Sequence, residues 1–186
     1  MFESLDDKIL EQKAGEYDAF VVDPDKFLIA QRPLVTYDIE TCVGVVLSSN
    51  NCSWWGLYHI HAVQFTHKQK SYQKSLNDFF WKYMGIAQSR KKEVTLLAVG
   101  GNYERIIDAG NNQFVTNQSS HNDIVLRMAK EFGFENREGF TGNPRMAKDV
   151  LIKSNDHVYI AEKPIQEYYH ETPFMTTDQF LAQHRV

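Results

Sequence analysis

Residues 34–61, LVTYDIETCVGVVLSSNNCSWWGLYHIH, constrain the fold of this chain more than any other stretch. Val43, Val45, Val46 and Leu47 are apolar and mostly β-branched, and the polar run 48–53 stops them. That pattern predicts a buried strand closed by a turn. Beyond the turn, Trp55, Leu57 and His59 fall on one face of a second strand, with Trp54, Gly56, Tyr58 and Ile60 on the other. Two such runs joined by a polar loop predict a β-hairpin. Residues 34–39 predict a third strand leading into it. In a hairpin the start of the first strand lies beside the end of the second, so Cys42 and His59 are expected to be neighbours, with Thr36 in reach.

A thiol beside an imidazole is the minimum for nucleophilic catalysis. The thiolate is the attacking form, and a neighbouring His lowers the thiol pKa. A third group commonly holds the imidazole in one tautomer. Thr36 is the candidate for that role, with Asp38 and Glu40 as competitors. Spacing alone leaves a plainer reading open, in which the Cys is a small buried hydrophobe and the His a packed strand residue.

The motif Thr36, five residues, Cys42, sixteen residues, His59 resembles the CheD family, bacterial deamidases of chemoreceptor glutamines. Thr41-Cys42-Val43 looks like that family's Gly-Ser-Cys-Val segment, and Gly56-Leu57-Tyr58-His59 like its Gly-x-x-His strand. The run VTLLAVGG at 94–101 is similar to its strand ending in Gly-Gly. Gly142-Asn143 sits where it carries a Gly-Gly-Asn-x-Gly-Arg loop, with two closing strands after it. The likeness runs from 34 to 163. It departs at Glu40, which replaces a Gly, and at Thr-Gly-Asn-Pro-Arg, which is not glycine-rich; both departures bear on the substrate more than on the chemistry. The approach Asp38 to Cys42, Asp-x-x-Thr-Cys, also resembles the eukaryotic protein N-terminal asparagine amidohydrolase. Cytotoxic necrotizing factor toxins use a similar Cys-His pair.

These resemblances imply an α/β layered sandwich with a mixed, largely antiparallel sheet and two main helices. They imply catalysis by Cys42, His59 and Thr36, with Asp38, Glu40, Thr41, Gly100, Gly101 and Asn143 around the substrate. The implied reaction is deamidation of a Gln side chain to Glu on a partner protein, without a cofactor. An N-terminal asparagine amidohydrolase is the alternative enzyme. A catalytically idle protein-binding module is the alternative of another class.

At 186 residues the chain can bury a core without staples. A net charge of -4 argues against a general nucleic-acid binder, which would show a basic face. No stretch is apolar enough to span a membrane, and the acidic, polar start is unlike a secretory signal. A cytoplasmic location is expected, and export without a cleaved signal is compatible with the same sequence. Two cysteines, Cys42 and Cys52, suggest a reduced compartment, with a disulfide across the hairpin as the alternative. His59-x-His61 places two imidazoles on one strand face, and His67 could join them; with no further ligand at a convincing spacing, no metal is expected.

One domain is expected over 1–163, beginning with a helix within 1–16, followed by an aromatic and acidic extension over 164–186. The first helix is expected over 4–14, capped by Ser4 and ended by Gly15. Strands are expected over 17–23 and 26–31 around Asp-Pro-Asp. Leu76, Phe79, Phe80, Tyr83 and Met84 recur at helical spacing within 71–86. A buried strand over 93–99 ends at Gly100-Gly101, a pair that allows close backbone approach and shapes the floor of the site. A helical turn is expected over 103–109, then a helix capped by Ser120 and stopped by Gly133. A turn over 139–144 and a hairpin of 149–153 with 157–161 follow, and a last helix over 177–184.

Overall fold

The computed structural model describes residues 2–40, 42–61, 69–101, 105–107, 114–116, 121–143, 146–155 and 157–164. The expected α/β layered sandwich forms, and its strands divide between two facing five-stranded sheets. The first sheet has the order β1 (Phe2–Leu5), β12 (His157–Pro164), β11 (Met146–Ser154), β4 (Leu34–Ile39), β2 (Phe20–Val21). The second has the order β10 (Asn136–Phe140), β7 (Val94–Gly100), β5 (Val43–Ser49), β6 (Trp55–Ile60), β3 (Phe27–Ala30). A short ribbon pairs β8 (Arg105–Ile107) with β9 (Phe114–Thr116).

Three apolar layers separate the elements. Helix α1 (Asp7–Glu16) lays Leu10 and Ala14 on Val35, Leu151, Tyr159 and Ala161, the outer face of the first sheet. Between the sheets lie Leu34, Ile39, Cys42, Val46, Leu57, Val99, Val150 and Ile160. On the far side, α2 (Gln69–Ala87) and α3 (His121–Phe132) cover the second sheet, burying Leu76, Phe79, Phe80, Tyr83, Val125 and Ala129 against Val43, Val45, Tyr58 and Ile60. The alternation along β5 and β6 therefore decides which side chains meet the helices and which meet the other sheet. Fully burying a ring such as Phe79 or Phe80 contributes about 1.5–3 kcal/mol, so the helix side is the heavier anchor of the second sheet.

Several expected elements differ. Residues 2–5 form a strand paired in parallel with β12, and the helix starts one turn later, with the Asp6 carboxylate accepting from the Lys8 N–H at 3.1 Å. Ser4 faces Ile160 in that strand and caps nothing. Residues 136–140 are a strand parallel to β7, so Gly139 lies in a strand and not in a turn. Residues 105–107 are a strand and not a helical turn. Gly133 does stop α3, at φ 102°, with its N–H and that of Phe134 donating to Ala129 O. Ser120, His67 and the expected final helix lie outside the described residues.

Candidate active site

The β5–β6 register opposes Val43 to Ile60 and Gly44 to His59. Gly44 and Cys42, two residues apart, share a face, so Cys42 is the diagonal neighbour of His59 on the side turned to the first sheet. Diagonal partners lie about 7 Å apart at the backbone, within reach of a thiol and an imidazole. Cys42 belongs to the inter-sheet cluster and is 8 % exposed; His59 is 2 % exposed. The two residues that the hairpin geometry predicts as neighbours thus share one buried face.

Thr36 reaches that face from the first sheet. Its hydroxyl donates to Val22 O at 2.8 Å, and its Oγ1 lies 2.8 Å from His59 Nδ1. A hydroxyl has one proton, and a carbonyl only accepts. With that proton on Val22 O, the Nδ1–H of His59 must be the donor to Oγ1. The imidazole is then the Nδ1–H tautomer, with its lone pair on Nε2. Nε2 is buried and has no hydrogen-bond partner among the described residues. A lone pair at Nε2 is the acceptor that a base would need, and Cys42 Sγ makes no hydrogen bond to it in this structure.

Burial holds His59 well below its ordinary value, at about 4. The neighbouring His61 pushes the same way, while Asp25 and Asp38 oppose it. The imidazole is therefore neutral at neutral pH. Its backbone is fixed by the turn before β3: His59 N donates to Lys26 O, Asp25 N to His59 O, and His61 N to the Asp25 carboxylate at 3.0 Å.

Gly100 and Gly101 sit on the other flank of Cys42. Gly101 N donates to Cys42 O at 2.7 Å, and both glycines are left-handed, at φ 80° and 68°. A Cβ on Gly100 would collide with Ile39 Cγ2 and Cys42 O; one on Gly101 would lie 2.6 Å from Asn122 N, in the first turn of α3. The pair forms the close approach expected of it, between the Cys42 backbone, Ile39 and a helix start. Gly44 serves the same end, since a Cβ there would lie 2.5 Å from Ile39 Cδ1.

Asp38 is largely exposed and its carboxylate pairs with Lys163 Nζ at 2.9 Å, so it does not hold the imidazole; Thr36 does. Glu40 is half-buried and helps keep the Lys148 ammonium charged against the burial that lowers it. Asn143 is tied into the same cluster through its backbone, accepting from Lys148 Nζ and donating to Glu162, each at 2.6 Å. Thr41 lies outside the described residues. Cys42 and Cys52 are both thiols. The seven residues of β5 separate them, a span of roughly 23 Å at about 3.3 Å per residue, where a disulfide needs Cα atoms within about 7 Å. No group of three or more His, Cys, Asp or Glu placed to hold a metal occurs among the described residues, and none of their helices is long and apolar enough to cross a membrane.

No protein-family model matches the sequence, and no curated protein matches it. Among solved structures, the crystal structure of Neisseria meningitidis protein NMB0706, titled with the family model DUF152, superposes with a TM-score of 0.42 at 11 % identity, over 74 % of this chain and 69 % of that one.

Two features of the site have weak or no sequence signals. Val22 acts through its carbonyl, which any residue carries. Ile39 reads as the last apolar residue of a strand, yet it fills the space left by Gly44 and Gly100 beside the Cys42 backbone. The glycine inside the buried run Val43-Gly44-Val45 is the one hint, since a Gly in a strand marks close approach by another group.

Proposed function

We propose that the chain is a cysteine-dependent amidohydrolase that deamidates a side-chain carboxamide, Gln to Glu, on a partner protein. One observation carries the reading: Thr36 spends its only proton on Val22 O and so fixes His59 with a bare Nε2 on the Cys42 face. The CheD-like spacing supplies the choice of amide as the substrate.

In this reading the Cys42 proton moves to His59 Nε2 as Sγ attacks the carboxamide carbon. The C=O π electrons move to oxygen, and a backbone N–H, that of Cys42 itself, steadies the oxyanion. The imidazolium returns its proton to the departing nitrogen, releasing ammonia and leaving a thioester. His59 Nε2 then takes a proton from water, whose oxygen attacks the thioester carbon; the carboxylate product leaves and the thiol is restored. The Nδ1–H bond to Thr36 keeps the ring aligned throughout.

The test needs no known substrate. Alkylation of Cys42 by iodoacetamide is followed against pH, resolved from Cys52 by peptide mass spectrometry. Labelling at neutral pH that is markedly slowed in His59→Ala supports the neutral imidazole as base to the thiol and justifies a search for the deamidated protein. An ordinary profile, unchanged in His59→Ala, overturns the reading. The burial of both groups favours the second reading, a binding module on the same scaffold; it expects partner binding that survives Cys42→Ala together with that ordinary profile.

A further inference from the structure

Strand β4 carries one residue more than its partner needs. Thr36 opposes Val150 and Ile39 opposes Lys148, so β4 advances three residues while β11 advances two. The extra residue is a bulge at Tyr37-Asp38, and Asp38 takes the left-handed conformation, φ 58°. The bulge has a specific effect. Residues three apart in a regular strand point to opposite faces, yet Thr36 and Ile39 both face the second sheet: Thr36 meets His59, and Ile39 meets Gly44 and Gly100. Without the bulge, keeping Ile39 in register would turn Thr36 to the outer face, and keeping Thr36 would turn Ile39 out.

The bulge removes Asp38 N from the β4–β11 ladder, and a buried side chain takes it up. Asp149 Oδ1 accepts from Asp38 N at 2.8 Å, and Asp149 Oδ2 lies 3.0 Å from Lys163 Nζ. The Asp149 side chain is 0 % exposed. A buried carboxylate is costly unless paired and hydrogen-bonded. Burial raises its pKa, against the opposing pull of the Asp38 N–H and Lys163.

We propose that Asp149 is a positioning residue, whose carboxylate holds the β4 bulge and so keeps Thr36 on the face of His59. Its bearing on turnover rests on the amidohydrolase reading; its bearing on the imidazole does not.

The test reads the tautomer of His59 by its ring 15N shifts, in Asp149→Asn, Asp149→Ala and the double variant Asp38→Gly/Asp149→Ala. Asp149→Asn keeps an acceptor oxygen for Asp38 N and is expected to retain the Nδ1–H pattern of the wild type. Asp149→Ala is expected to lose that single pattern for a tautomer mixture, with slower alkylation of Cys42. In the double variant, glycine takes the left-handed position without strain, and the fold and the Nδ1–H pattern return. A folded Asp149→Ala with wild-type His59 shifts overturns the proposal. So does a double variant no better folded, and no nearer the wild-type pattern, than Asp149→Ala alone, which keeps the test decisive where the single variant fails to fold. If the tautomer shifts as expected while the wild type deamidates nothing, the positioning role stands and the enzymatic reading fails.

Discussion

Thr36→Val isolates the hydroxyl at the centre of the site. Valine has the shape of threonine, so no cavity opens and the inter-sheet packing is kept. Two buried groups lose their partner: Val22 O, which accepts from the hydroxyl, and His59 Nδ1–H, which donates to it. Each unsatisfied buried polar group costs about 1–3 kcal/mol. The ring can recover part of that by moving its proton to Nε2, so a net loss of about 2–4 kcal/mol is expected. Urea denaturation reads the stability, and 15N shifts of the imidazole read the tautomer. The two effects should come together, with the variant losing stability and the Nδ1–H pattern. Moving the proton to Nε2 also removes the acceptor lone pair there, so on the amidohydrolase reading alkylation of Cys42 should return towards that of an ordinary thiol. Thr36→Ser keeps the hydroxyl and should keep the tautomer and the alkylation profile. A Thr36→Val variant within about 0.5 kcal/mol of wild type, or an Nε2–H ring in the wild-type protein, would refute the proton assignment.

Other outcomes follow from the same geometry. Because the folded pKa of His59 is depressed to about 4 from 6.5, the unfolded chain binds its proton first; the stability present above pH 6.5 falls as pH drops and is lost by pH 4, by about 3 kcal/mol. The difference in urea midpoints between pH 7 and pH 4.5 should therefore be smaller in His59→Gln than in wild type; an equal difference would contradict the burial of that ring. Gly100→Ala should cost about 2–4 kcal/mol from a left-handed alanine and the collision with Ile39, and a thermal midpoint unchanged from wild type would count against the tight floor described here. Cys42→Ala and His59→Ala should abolish turnover of the substrate, once it is found, while circular dichroism shows a folded protein. Full activity in Cys42→Ala would exclude the thioester route.

The hairpin and the shared face of Cys42 and His59 were legible because alternation and turn chemistry are local. The burial of Leu76, Phe79, Phe80 and Tyr83 on α2 was legible for the same reason. Residues 2–5 and 136–140 were not, since FESL and NREGF carry little strand pattern and become strands through parallel partners more than 150 and about 40 residues away, respectively. The division of the strands into two sheets is equally long-range. Thr36 could be named from the sequence, but not how it works: the acceptor for its proton is a main-chain carbonyl at Val22, and the bulge that aims it depends on Asp149, a residue 113 positions on. Asp38 was a competitor of Thr36 for the imidazole. Its side chain suggested an acid near the imidazole, whereas its use lies in a backbone that aspartate tolerates better than most residues.

The pairing of β1 with β12 sets Phe2 beside Val158, and β4 takes its central neighbour from β11. The first sheet is thus assembled from both ends of the described chain, whereas β5 and β6 need only their own loop. During synthesis Cys42 and His59 can meet early, in a hairpin that closes in about 1–10 μs. The sheet that carries Thr36, and the carboxylate that aims it, can be completed only after the ribosome has delivered residues past 160. The nascent chain therefore holds Cys42 and His59 before the bulge that places Thr36 is complete, and the three are brought together with the last strand.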